Sequence, residues 1–210
     1  MSFLKMRYKT LILFTTLLIG CSREGILNPK AYMAFLNNSD NGLIKEKTVA
    51  GVKFKIKYLP SEFISYNLLK NQAADTEIKD SVIKSYQNSL TFLLNIGPAD
   101  NEKFDITRVD IADYSAFADR IEEMAFQTQN YISLACGDSI YKPAITRMEN
   151  INSPEKSRNF IVVFNSEKGG NRDLRKHDMS FIYRDEMFNT GVNKFVFHAS
   201  DINALPEFKF

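Results

Sequence analysis

The chain has few of the residues that staple or ligate. Among 210 residues there are 2 Cys, 2 His, 9 Gly and 6 Pro. Two cysteines exclude a disulfide scaffold, and sparse Gly and Pro exclude a collagen-like or low-complexity chain. The histidines, His177 and His198, stand in no zinc spacing such as His-x-x-x-His, so no metal or other cofactor is expected. There is no Gly-x-Ser-x-Gly and no phosphate-loop glycine spacing. No run after residue 20 reaches the roughly eighteen apolar residues of a membrane-spanning helix. What remains, 44% hydrophobic and 25% charged, is ordinary globular composition. A domain of this length buries roughly 70% of the surface its unfolded chain exposes.

The N-terminal residues carry the most specific signal. Lys5, Arg7 and Lys9 precede the apolar run Leu11 to Ile19, and Gly20 stands before Cys21, the order of a secretion signal and its cleavage point. At about 1.5 Å per helical residue the run reaches about 14 Å, half of a ~30 Å hydrocarbon core. Leu18-Ile19-Gly20-Cys21 resembles the lipobox of bacterial lipoproteins. The resemblance implies cleavage before Cys21, acyl chains on it, and attachment to a membrane, since several chains anchor stably where one is marginal. Ser22 in place of Asp lacks the inner-membrane retention cue of enterobacterial lipoproteins, so the expected location is the outer membrane, its leaflet undecided. Removal of residues 1–20 takes the 27 basic residues to 24 against 25 acidic, and no nucleic-acid footprint is left.

Residues 21–28 read as a tether, and 29–210 as one α+β domain. From Ser22 to Asn28 the tether reaches up to about 25 Å. Asn28-Pro29 predicts a helix start leading to Asn37, with Tyr32, Phe35 and Leu36 on one side. Val52, Phe54, Ile56 and Tyr58 alternate with Lys53, Lys55 and Lys57, the pattern of a half-buried strand paired with Leu43 to Val49 across Ala50-Gly51. Ser61 is expected to cap a helix to about Lys70, and a second helix is expected from Asp75 to Tyr86. Leu90 to Ile96 alternates again as a strand. From Asp113 a helix is expected to turn Tyr114, Phe117, Ile121 and Met124 inward and Asp119, Arg120, Glu122 and Glu123 outward. Beyond Asn130 five strands are expected, Tyr131 to Ala135, Ile140 to Arg147, Asn159 to Asn165, Met179 to Arg184 and Lys194 to Ala199. Helices first and strands mostly last predict a largely antiparallel sheet with N-terminal and central helices covering one face. Asn41 to Lys47, Val52 to Pro60, Asn193 to Phe197 and Asp201-Ile202 resemble uncharacterised lipoproteins of the Bacteroidota. That likeness implies localisation and single-domain architecture, not an activity.

Several constellations are candidates for binding or catalysis. Lys53, Lys55 and Lys57 form a candidate anion-binding face. A three-residue hairpin loop would add Lys45 and Lys47 to it, whereas a two-residue loop sets Glu46 opposite Lys55 and Lys47 opposite Phe54. Arg172, Arg175 and Lys176 mark a basic loop and candidate partner surface. Cys136, flanked by apolar residues, reads as a small buried hydrophobe rather than a nucleophile served by His177 or His198. Asp100, Asp105, Asp110 and Asp113 lack calcium-loop spacing. In Glu122-Glu123 and Asp185-Glu186 adjacent side chains diverge, so neither is an acid/base couple. Asp80-Ser81-Val82 and Asp138-Ser139-Ile140 resemble the Asp-Ser/Thr-aliphatic O-glycosylation sites of Bacteroidota, with Ser81 the better candidate. The expectation is a lipid-anchored envelope protein whose domain binds another envelope protein or a ligand without catalysis. The alternatives are an envelope hydrolase whose site only the fold assembles, and an anion-binding module built on the lysine hairpin.

Overall fold

The computed structural model describes residues 25–72, 76–100, 102–149, 154–165 and 174–210. Cys21 and Arg172 therefore lie outside the described residues, as do residues 1–20, for which a secretion signal is expected. Helix α1 (Pro29–Asn37) starts as expected: Pro29 needs no N–H partner, and Asn28 Oδ1 accepts the Ala31 N–H at 3.0 Å. It buries Tyr32 and Leu36. Strands β1 (Ile44–Val49) and β2 (Val52–Leu59) form the expected hairpin. Ala50 and Gly51 both have positive φ, 49° and 79°, the mirror-image turn whose twist suits a two-residue loop.

Helix α2 (Ser61–Leu69) corrects the expected cap. Pro60, at φ −61° and ψ 148°, holds the cap position without a side-chain bond, so Ser61 is already helical and its hydroxyl bonds Glu62 instead. Helix α3 (Thr76–Tyr86) follows, and then β3 (Ser89–Pro98). Asp113 Oδ1 accepts the Ala116 N–H to open α4 (Tyr114–Glu122), which continues through a wide π turn (Glu123–Gln127) into α5 (Thr128–Tyr131). The expected inward stripe holds at Met124, which is buried, and at half-buried Phe117 and Ile121, but Tyr114 is 83% exposed. Arg120, expected to face away, lies with its guanidinium 5.0 Å from the Phe188 ring centre, where the aromatic face attracts it.

The last third contains β4 (Ile132–Cys136), β5 (Ser139–Tyr141), β6 (Ile145–Glu149), β7 (Arg158–Asn165), β8 (Met179–Asp185), β9 (Gly191–Phe197) and α6 (Ala199–Asn203). The expected strand Ile140 to Arg147 is two strands. Pro143, which cannot donate to a ladder, sits in the gap between them. The strand expected to reach Ala199 stops at Phe197, because Asp178 Oδ1 accepts the Ala199 N–H and starts α6 there.

The fold is α+β and its strand pairs are antiparallel, but the strands divide into two sheets rather than one. The first has the order β1-β2-β3-β7-β6 and the second β5-β4-β8-β9. Their inner faces meet through aromatic rings: Phe92 lies 5.4 Å from Phe181 and 5.2 Å from Phe197, and Phe54 lies 5.4 Å from Tyr183. Val52, Phe54, Ile56 and Tyr58 are all buried there, as period-2 alternation requires. Helices α2 and α3 pack beside the outer face of the first sheet, near Leu59 and Thr91.

Candidate functional site

The hairpin register settles the lysine face. Glu46 stands opposite Lys55 and Lys47 opposite Phe54, so Lys45 and Lys47 are on the other face from Lys53, Lys55 and Lys57. Glu46 divides those that remain. Its carboxylate is 3.0 Å from the Lys55 ammonium and 3.2 Å from that of Lys53, which also meets Asp100 at 3.1 Å. Lys57 donates to Asn37 Oδ1 at 2.6 Å. Burial opposes ionisation of Glu46, but hydrogen bonds from Lys55 and Lys53 prevail and lower its pKa. Burial, then the charge of Lys55, lowers that of Lys57. The five-lysine surface is not formed.

Most remaining candidates are in local structural bonds. Cys136 is buried with its Sγ 3.4 Å from the Leu174 carbonyl oxygen, and burial raises its pKa, the setting of an inert thiol. His198 Nδ1 is 2.8 Å from Asp178 Oδ2. Asp105 accepts from Thr107 and pairs with Arg158 at 3.2 Å, while Asp100 meets Lys53 and Asp113 caps α4. Asp185 accepts the N–H groups of Met187, Phe188 and Thr190, holding the turn into β9. Among the described residues no cluster of three or more His, Cys, Asp or Glu could hold a metal ion. Ser81 on α3 and Ser139 on β5 are both exposed.

Arg175 is different. It sits in a short 3-10 turn (Leu174–Lys176) on the wall of a cleft of about 330 Å³ that also involves Tyr32, Tyr58, Glu62, Asn203 and Phe208. Six segments build it, the turn of Arg175 among them. The capped start of α1 aims Tyr32 inward, where it stacks on Phe208 with ring centres 4.2 Å apart. Alternation along β2 buries Tyr58, and Glu62 follows in the first turn of α2. From α6, Asn203 donates to the Arg175 carbonyl at 3.3 Å. The segment after α6 lies beside the one before α1, with Leu27 N–H donating to the Glu207 carbonyl at 2.9 Å and Leu27 bridged to Phe208.

The electrostatics of this cleft suit recognition. Burial, aided by Glu62 and Tyr58 and opposed by Arg175, raises the Tyr32 pKa well above its usual value. Burial raises that of Tyr58 also, against the pull of Arg175. At neutral pH the cleft thus sets two buried, neutral phenols beside a permanent cation, with Glu62 on the same wall. The Arg175 Nε is buried and has no hydrogen-bond partner among the described residues. Arg175 was legible in the sequence as part of a basic loop. Tyr32 and Tyr58 read only as core, and Glu62 carried no signal, because no spacing links residues from segments this far apart.

No family model matches the chain, and no curated protein matches it. Among solved structures, a protein of unknown function from Burkholderia pseudomallei aligns at 7% identity and a TM-score of 0.37, over 90% of this chain and 98% of that one. A DUF4426 family protein from Pseudomonas aeruginosa aligns at 7% identity and 0.35, over 74% and 91%.

Proposed function

We propose that the chain is an envelope lipoprotein, held in the outer membrane by acyl chains on Cys21, whose domain is a non-enzymatic binding module with its ligand seat in the cleft beside Arg175. The lipobox-like Leu18 to Cys21 supports the anchor. The observation that carries the binding role is the Arg175 guanidinium on the wall of a cleft lined also by Tyr32 and Tyr58. A guanidinium pairs with an anionic oxygen through charge-assisted hydrogen bonds, often two in parallel. Catalysis by proton transfer would want a group poised near neutral pH. Tyr32 and Tyr58 are displaced away from that range, which makes them donors rather than bases. The ligand is accordingly a molecule, or a partner's side chain, that presents a carboxylate or other anionic oxygen to Arg175.

The experiment is photo-crosslinking in native membranes, with a photoreactive residue at Asn203 and the products identified by mass spectrometry. A discrete adduct that weakens about tenfold or more in Arg175→Ala, with Cys21→Ser releasing the chain from washed membranes, is the expected result. An adduct pattern indifferent to Arg175, or a Cys21→Ser chain retained as before, overturns the corresponding half.

A further inference from the structure

A second cavity, of about 540 Å³, lies on the outer face of the first sheet, beneath α2 and beside Tyr86 of α3. Its floor is ordered by the strand register. Leu59, Thr91, Val163 and Ile145 form one row across β2, β3, β7 and β6. The next row is Lys57, Leu93, Ile161 and Arg147, and the third is Lys55, Asn95, Asn159 and Glu149. The face therefore passes from apolar to polar within two steps of about 7 Å each. Phe63 and Leu68 of α2 roof the apolar end. Leu68 is 48% exposed and Ile145 56%, apolar surface that an occupant would cover.

We infer that this groove binds a single-chain amphiphile with a zwitterionic phosphate-ammonium head, its alkyl chain between α2 and the Leu59-to-Ile145 row and its head over β6. Charge complementarity selects the head. Arg147 and Glu149 are two residues apart on one face of the strand, both line the groove, and they offer a cation for the phosphate and, about 7 Å on, an anion for the ammonium. The volume falls in the range of small-molecule sites, and an apolar lining with few polar groups at one end is how such sites fix orientation. The groove shares none of its lining residues with the cleft beside Arg175.

The test reconstitutes the full chain in phosphatidylcholine vesicles doped with a monoacyl phosphoethanolamine carrying a diazirine on its alkyl chain, irradiates it, and maps adducts by peptide mass spectrometry. Adducts are expected on α2 and β6, reduced about tenfold or more by Leu68→Arg and, separately, by Ile145→Arg. Thermal melting establishes that each variant is folded, and Leu68→Asn replaces any that is not. Glu149→Lys is expected to shift preference toward a monoacyl phosphate probe that lacks the ammonium. Adducts spread outside the groove, or a yield unchanged by the substitutions, overturn the site. Equal labelling by a monoacylglycerol probe without phosphate overturns the assignment of the head.

Discussion

Glu46 lies directly across the first hairpin from Lys55, its carboxylate 3.0 Å from the Lys55 ammonium, and it reaches Lys53 as well. Glu46, joined at Lys53 by Asp100, thus neutralises the part of the lysine row closest to the turn. Exposed pairs of this kind contribute about 0–1 kcal/mol. Glu46→Gln is therefore expected to leave the melting temperature almost unchanged while lengthening salt-sensitive retention on immobilised heparin. Unchanged retention would mean that Glu46 does not mask these lysines.

The Asp105 carboxyl ties stability to pH. Burial opposes ionisation of Asp105, but hydrogen bonds from the Thr107 backbone and hydroxyl, with the Arg158 charge, lower its pKa below the usual 3.8. A lowered carboxylate stabilises the fold fully above its unfolded value, and that stability is lost as pH falls through the folded value. Asp105→Asn is expected to cost about 2–3 kcal/mol at neutral pH. Denaturant midpoints of variant and parent should converge only below about pH 4. A constant gap down to pH 2 would contradict the linkage.

Gly42 has φ 73°, and a Cβ placed there would be 2.0 Å from Asp201 Oδ2. Gly42→Ala meets both left-handed strain and that carboxylate, and the strain alone is worth about 1–2 kcal/mol. Differential scanning calorimetry should show a fall of several degrees, at about 2–4 °C per kcal/mol for a chain of this size. Gly42→Ala with Asp201→Ala should recover part of it. No recovery would place the whole cost in the backbone.

Cys136, buried and with a raised pKa, should react with a maleimide at least about a hundredfold more slowly in the native protein than in urea. If Cys21 is acylated, the unfolded chain isolated from membranes titrates a single thiol. Two thiols would remove the lipid anchor from the proposal.

How much of this was legible in the sequence depended on whether the information was local. The start of α1 lies in Asn28-Pro29, and the buried face of β2 lies in the alternation from Val52 to Tyr58. Residues such as these report their own backbone and one neighbour. The division into two sheets was not legible, because alternation reveals which side of a strand is buried but not which strand it faces. Pro143 was the one local sign that Ile140 to Arg147 would break. Ser61 has the residue type of a cap, but the proline before it takes that geometry. The Arg175 cleft was visible only as one basic residue, since Tyr32 and Tyr58 are spaced and patterned like any core aromatic.

The bridge between Leu27 and Phe208 ties the segment before α1 to the segment after α6. If the body hangs from the bilayer by the residues before α1, tension on that leash passes first into Leu27, then sideways into Glu207 and Phe208. Phe208 is the ring against which Tyr32 rests. Under that proposal a pull from the membrane would reach the cleft wall before the sandwich, and occupancy of that cleft would stiffen the joint that bears the load.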